Sequence, residues 1–192
     1  MRIGRLVAGL LAIGLGLAAC GGGTPPTTFD LAQREGTAKT LTLRRQLVVA
    51  EPSALQSLDS DHVLVRRADG TLATLAHAQW SDRLPRLLQS RILQAFENAG
   101  AAGRVGPVGG AVSADMTLES EIRLFEVDVG AGQGKVELAA RLVNASSGKI
   151  AAAHIFHVDA PGATEGPAAA TTLDQALTQA LGELTHWAAA HL

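Results

Sequence analysis

Three consecutive segments between residues 115 and 158 alternate apolar and polar side chains. Alternation of period two commits most of the second half of the chain to a β-sheet with a distinct buried face. The first segment, 115–129, changes parity along its length, from Leu118, Ile122 and Leu124 to Phe125, Val127 and Val129. A one-residue slip sends every later side chain to the other face, so a bulge or bend near Leu124 is expected to reconcile the two halves. Val136, Leu138, Ala140 and Leu142 alternate next, then Ile150, Ala152, His154, Phe156 and Val158, with a loop by composition at 144–148 between them. Upstream, Leu41, Leu43, Leu47, Val48 and Val49 mark a strand that stops at Glu51-Pro52. Residues 62–67 and 71–76 form a hairpin about Asp69-Gly70, a dipeptide that accepts the backbone angles of a tight turn.

Two amphipathic helices complete the pattern. In 81–98, Ser81 stands as the N-cap and Pro85 falls in the first turn. Leu84, Leu87, Leu88, Ile92, Leu93 and Phe96 keep one apolar face until Asn98 and Gly100. The second is expected to open on a capping box, Thr172-Leu173-Asp174-Gln175, and to run through Ala176, Leu177, Ala180, Leu181 and Leu184 to Trp187. Each helix carries one stripe and should cover a sheet face; whether one face or both are covered stays open at this point. The expected fold class is α/β, a single domain with a mixed sheet and two main helices.

Residues 1–19 stand apart from this domain. Arg2 and Arg5 precede an apolar run from Leu6 to Leu17, and two alanines precede Cys20, the one cysteine of 192 residues. Such a run is too short to span a bilayer, which takes about 20 apolar residues, and it has the form of a signal peptide. Residues 20–28 continue as a Gly/Pro/Thr tether without periodic apolar positions, and the domain is expected to occupy 29–192. Removing 1–19 takes two of the 16 basic residues and none of the 18 acidic ones, leaving a more acidic chain than the net charge of −2 implies. Clustered Lys and Arg are what bind phosphate backbones, so nucleic acid is not an expected partner. Aromatic side chains are 3% of the chain and tyrosine is absent, which removes stacking platforms for single strands.

The residues around Cys20 resemble the lipobox of bacterial lipoproteins, in which a diacylglycerol is joined to the cysteine sulfur and cleavage frees its amino group. Cys20 is thus the expected lipidation site. The mature chain resembles the ABC-type transport auxiliary lipoproteins, associated with transporters of the mammalian-cell-entry (MCE) type. The resemblance rests on Phe29-Asp30-Leu31, on Val48-Val49-Ala50-Glu51-Pro52, on Leu55 and Leu58-Asp59, on the hairpin, and on Trp80 before the first helix. It implies a fold similar to the N-terminal domain of the Tol-system propeller protein, an anchor in the outer membrane with the domain facing the periplasm, and no enzymatic activity. The implied partner is the periplasmic MCE protein, with support of lipid transport and membrane integrity as the role. Self-association into a ring around the partner is compatible with that role. The alternative is an envelope-assembly or cell-wall-associated lipoprotein acting as a general interaction module. The candidate docking loop comprises Pro52, Leu55, Leu58, Asp59 and His62, because loops on a rigid sheet commonly bind.

Chemistry is sparse. Gly130 to Lys135 is glycine-rich but leads into a strand and has Val136 where a phosphate loop carries Ser or Thr, so a hairpin loop is expected. His154 and His157 are three apart on a strand and point to opposite faces, a poor metal pair. No Gly-x-Ser-x-Gly is present, and Glu119, Glu121, Glu126 and Asp128 read as a solvated strand face. No cofactor, metal or catalytic residue is expected.

Overall fold

The computed structural model describes residues 25–31 and 41–192; the signal segment, Cys20 and the tether as far as residue 24 lie outside the described residues. In chain order the elements are β1 (Thr27–Phe29), β2 (Leu47–Val49), β3 (Ser53–Ala54), β4 (His62–Arg66), β5 (Leu72–Trp80), α1 (Leu84–Phe96), β6 (Val105–Pro107), β7 (Met116–Asp128), β8 (Gln133–Asn144), β9 (Ile150–Pro161) and α2 (Gly166–His191).

β7 is the spine of one mixed sheet. Along one side it pairs antiparallel with β8, which pairs antiparallel with β9. Along the other it takes three parallel partners in turn: Leu47–Val49 beside Met116–Leu118, Ser53 and Ala54 beside Glu121 and Ile122, and Leu64 to Arg66 beside Glu126 to Asp128. β6 extends the sheet beyond β2, and β5 then β1 extend it beyond β4. The parity change of β7 is resolved as expected. The register with β8 jumps between Ile122 and Leu124, so Arg123 has no opposite residue and both Ile122 and Phe125 point inward.

Both helices lie on one side of the sheet and touch each other. Leu173, Ala176, Leu177, Ala180, Leu181 and Leu184 of α2 pack on Val136, Leu138 and Leu142 of β8 and on Phe156 and Val158 of β9, all buried. Helix and sheet approach closely at two glycines. A Cβ on Gly134 would stand 3.0 Å from the Thr172 carbonyl oxygen, and one on Gly162 would stand 2.4 Å from Thr172 Oγ1. Trp80 meets Phe125 edge-on, centroids 5.8 Å apart, in the buried core.

Several boundaries differ from expectation. Thr27 and Thr28, read as tether, pair with Ala78 and Gln79 in β1. The strand expected from Leu41 is confined to Leu47–Val49; the chain bends at 44–45, and Leu41 instead donates its N–H to the Ala99 carbonyl at 2.6 Å. The hairpin turns at Asp69-Gly70 with Gly70 at φ +84° and Asp69 accepting the Thr71 N–H at 2.9 Å. Its second strand runs on to Trp80, because β5 serves two neighbours: its start pairs with β4, and its end lies between β1 and His62 of β4, with the positive-φ residue His77 in the irregular stretch that separates them.

Helix ends also differ. α1 starts at Leu84 with Arg83 as N-cap, and Ser81 instead donates through Oγ to Asp30 at 3.2 Å. The helix closes in a π-helical turn, Glu97–Ala101, with Gly100 at φ +90°. α2 begins at Gly166, six residues before the expected capping box, with Pro167 in its first turn as the fixed φ of proline favours. Thr172 lies inside the helix and its Oγ1 donates back to Ala168 and Ala163 carbonyls at 3.2 and 2.9 Å.

Candidate docking site

The loop that follows β2 is held from both ends. Ala50 donates its N–H to the Leu118 carbonyl at 3.0 Å, and β3 then fixes Ser53 and Ala54 against β7. A tight turn follows, in which the N–H groups of Leu58 and Asp59 both donate to the Leu55 carbonyl at 2.9 Å. Of the five residues expected to make a docking surface, Pro52 and Leu58 are buried and act as feet of the loop. Leu55 projects between those feet with 71% of its surface exposed, the most open of the large apolar side chains among the described residues. His62 is exposed and lies 3.3 Å from Asp61.

Asp59 is half-exposed and engaged by Arg83, whose Nε donates to Oδ1 at 2.8 Å while Nη2 reaches the same oxygen. Nη1 of Arg83 also comes within 3.7 Å of Glu51, so one guanidinium joins both ends of the loop to the start of α1. The Asp59 hydrogen bond, and then its charge, raise the Arg83 pKa above the ordinary value. The backbone completes the link: the Ser60 carbonyl accepts the Leu84 N–H at 3.0 Å and the Asp61 carbonyl accepts the Trp80 N–H at 2.7 Å. The loop thus caps a helix that has no side-chain N-cap, supplying one of the acceptors its first turn lacks. Arg83 was not among the expected site residues. Its signal was present as a cation at a helix start, where the macrodipole disfavours positive charge and an acidic partner is therefore needed.

The helix-free face of the sheet is a lattice of opposite charges. Arg66 and Glu126 form a two-pronged pair, with Nη2 to Oε2 at 2.9 Å; Lys135 meets Asp128 at 2.9 Å, and Arg141 meets Glu119 at 2.7 Å. The acidic row of β7 is therefore not uniformly solvated. Glu121 is exposed, but Glu126 is 3% exposed under Arg66. The hydrogen bond from Lys135, then that from the Ala131 N–H, holds the Asp128 carboxyl below the usual carboxylate range. His154 and His157 do point to opposite faces. His157 sits between Glu137 and Asp159 at 3.3 and 3.2 Å, while His154 lies against Phe156 and Trp187 on the helix side. Gly130 to Lys135 forms the β7–β8 hairpin turn and the start of β8.

A family model described as an ABC-type transport auxiliary lipoprotein component matches residues 28–185. An uncharacterized protein of Bradyrhizobium diazoefficiens is 33% identical over a 177-position alignment that covers 87% of this chain and 46% of that protein. The chain thus spans about half the length of the curated relative it matches. The crystal structure of a Xanthomonas campestris protein superposes with a TM-score of 0.73 at 29% identity, covering 86% of this chain and 96% of the other. A second crystal structure, of an uncharacterized protein, shares the fold at a TM-score of 0.64 and 14% identity, covering 86% and 97%.

Proposed function

The chain belongs to the ABC-type transport auxiliary lipoprotein family, and on that premise we propose that it is a non-enzymatic lipoprotein of the outer membrane that docks the periplasmic MCE protein of an ABC lipid transporter. Family membership across residues 28–185 carries this reading. Cys20 is the anchor in it: one acyl chain binds a membrane reversibly, whereas the two or three chains of a processed lipoprotein hold it there. The segment between Cys20 and β1 is too short to cross a periplasm, at most about 3.5 Å per residue, so the domain receives what spans the gap and does not ferry lipid itself. The docking surface is the loop of residues 50–62, with Leu55 as its apolar contact and Arg83, Glu51 and Asp59 as its rigid polar rim. An apolar side chain presented on a braced loop and ringed by polar groups is the usual anatomy of a small contact patch.

Capture from crosslinked cells tests the reading. The wild-type chain should recover the MCE protein, and Leu55→Asp should lower the yield at least tenfold without changing the melting temperature. Cys20→Ala should release the chain from the membrane fraction and abolish labelling by a palmitate analogue. Hydrolysis of a lipid or cell-wall substrate by the purified chain, lost on changing a single serine or histidine, would replace docking with catalysis.

A further inference from the structure

β9 is the last strand on its side of the sheet. Its inner edge is paired with β8 throughout, and no described residue pairs with its outer edge. Edges of this kind are normally shortened, charged with lysine, or interrupted by proline. β9 has 12 residues and ends in Pro161, and from Ala152 to Ala160 its one carboxylate is Asp159, with no Lys, Arg, Glu or Pro. Its irregularity is confined to one end, where the register with β8 shifts at Ala151. On the helix-free face β9 leaves Ile155 50% exposed and Ile150 58% exposed, flanked by Ala153. The other edge strands cannot match it, since β1 and β6 have three residues each and β6 ends in Pro107.

We propose that β9 pairs antiparallel with β9 of a second copy of this chain about a two-fold axis at Ile155, making one continuous sheet with all four helices on the same side. A second copy offers β9 a strand of matching length, and the charge pattern selects the register. With Ile155 opposite Ile155, His157 falls opposite Ala153 and Asp159 opposite the bulge at Ala151, so no ionisable side chain faces its like. Moving the axis two residues onward would put His157 on His157 and Ile155 against Asp159. Like charges directly opposite destabilise a pair, whereas two β-branched side chains at the axis support it. On the helix side His154 would meet Phe156 of the second copy, beside the Trp187 ring that already stacks on His154. The pairing is independent of the docking reading, because it uses the opposite margin of the sheet from β4 and β5.

Cysteine placement tests the register. In the full chain in detergent, Cys20→Ser with Ile155→Cys leaves one thiol on the axis. Opposed residues of an antiparallel pair lie about 4.5–5.5 Å apart at Cα, within disulfide range. Oxidation should give a disulfide-linked dimer of twice the monomer mass, at least tenfold faster than His157→Cys in the same background. The Cys20→Ser parent should sediment as a dimer, and Ile155→Lys should halve its mass while keeping a cooperative unfolding transition. Equal crosslinking at 155 and 157, a monomeric parent at tens of micromolar, or a dimer that survives Ile155→Lys would each overturn the proposal.

Discussion

Arg83 binds loop and helix together from an exposed position, so its removal should loosen more than it destabilises. Water screens exposed ion pairs and leaves them little net worth, so Arg83→Ala should leave the denaturant midpoint nearly unchanged. Amide exchange at Leu58 and Asp59 should nevertheless quicken, since both N–H groups depend on the turn that Asp59 anchors. Ile92 contrasts with it: fully buried, it should cost about 2–5 kcal/mol on truncation to alanine. Gln89 lies outside the apolar stripe of α1 yet still contributes. It is half-buried and its Nε2 donates to the Val49 carbonyl at 3.1 Å, so Gln89→Ala should cost about 1 kcal/mol, read by denaturant titration. Asp128 sets part of the acid response. Its folded pKa is depressed by Lys135, so its contribution is complete above the unfolded value of about 3.9 and disappears as pH falls through the folded value. Asp128→Asn should therefore lower stability at neutral pH and flatten the decline below about pH 4 in a pH series of melting temperatures.

The elements of this fold are joined by close contacts that a sequence pattern does not display. Thr172 is a case in point. Its spacing to Gln175 imitates a capping box, but Gly166, at φ +59°, and Pro167 start α2 earlier, and the hydroxyl is spent on the Ala163 and Ala168 carbonyls. The same side chain sets the distance between α2 and the sheet at Gly162. Gly162→Ala would press a methyl group against it and should cost about 1–3 kcal/mol. Most of that cost should vanish in a Thr172→Ala background, a non-additivity measurable in a double-mutant cycle. β7 shows the opposite situation, in which the pattern was sufficient. Its parity change predicted the bulge, and the bulge stands at Arg123, where one surplus residue lets Ile122 and Phe125 share a face. Deleting Arg123 should remove the bulge while Phe125 and Val127 keep facing inward, because Leu124 would then follow Ile122 in plain alternation, and the chain should retain a cooperative unfolding transition.

At the scale of the whole molecule, the sheet separates its two faces by function of charge. One is apolar and roofed by two helices; the other is a polar lattice, and the large apolar side chains left exposed among the described residues are Leu55, Leu72, Val108, Ile150 and Ile155. Buried Arg91 of α1, its pKa lowered by burial and opposed by Asp174 and Asp30, marks where the helix layer meets the first residues of the domain. Arg91→Met, similar in volume and uncharged, is expected to lower the melting temperature, because it takes an opposing charge away from the buried Asp174 carboxyl. Local sequence pattern alone disclosed the long strands, the bulge, the stripe of α1 and the hairpin, because each depends on side chains near one another along the chain. Which strands neighbour β7, that both helices share one face, that Pro52 and Leu58 are feet while Leu55 is exposed, and that Arg83 closes the loop were decided by tertiary structure. Each of these joins residues tens of positions apart, as Arg83 is joined to Asp59 across a hairpin. Such contacts are selected by the packing of the whole core, whose free energy no single segment contains.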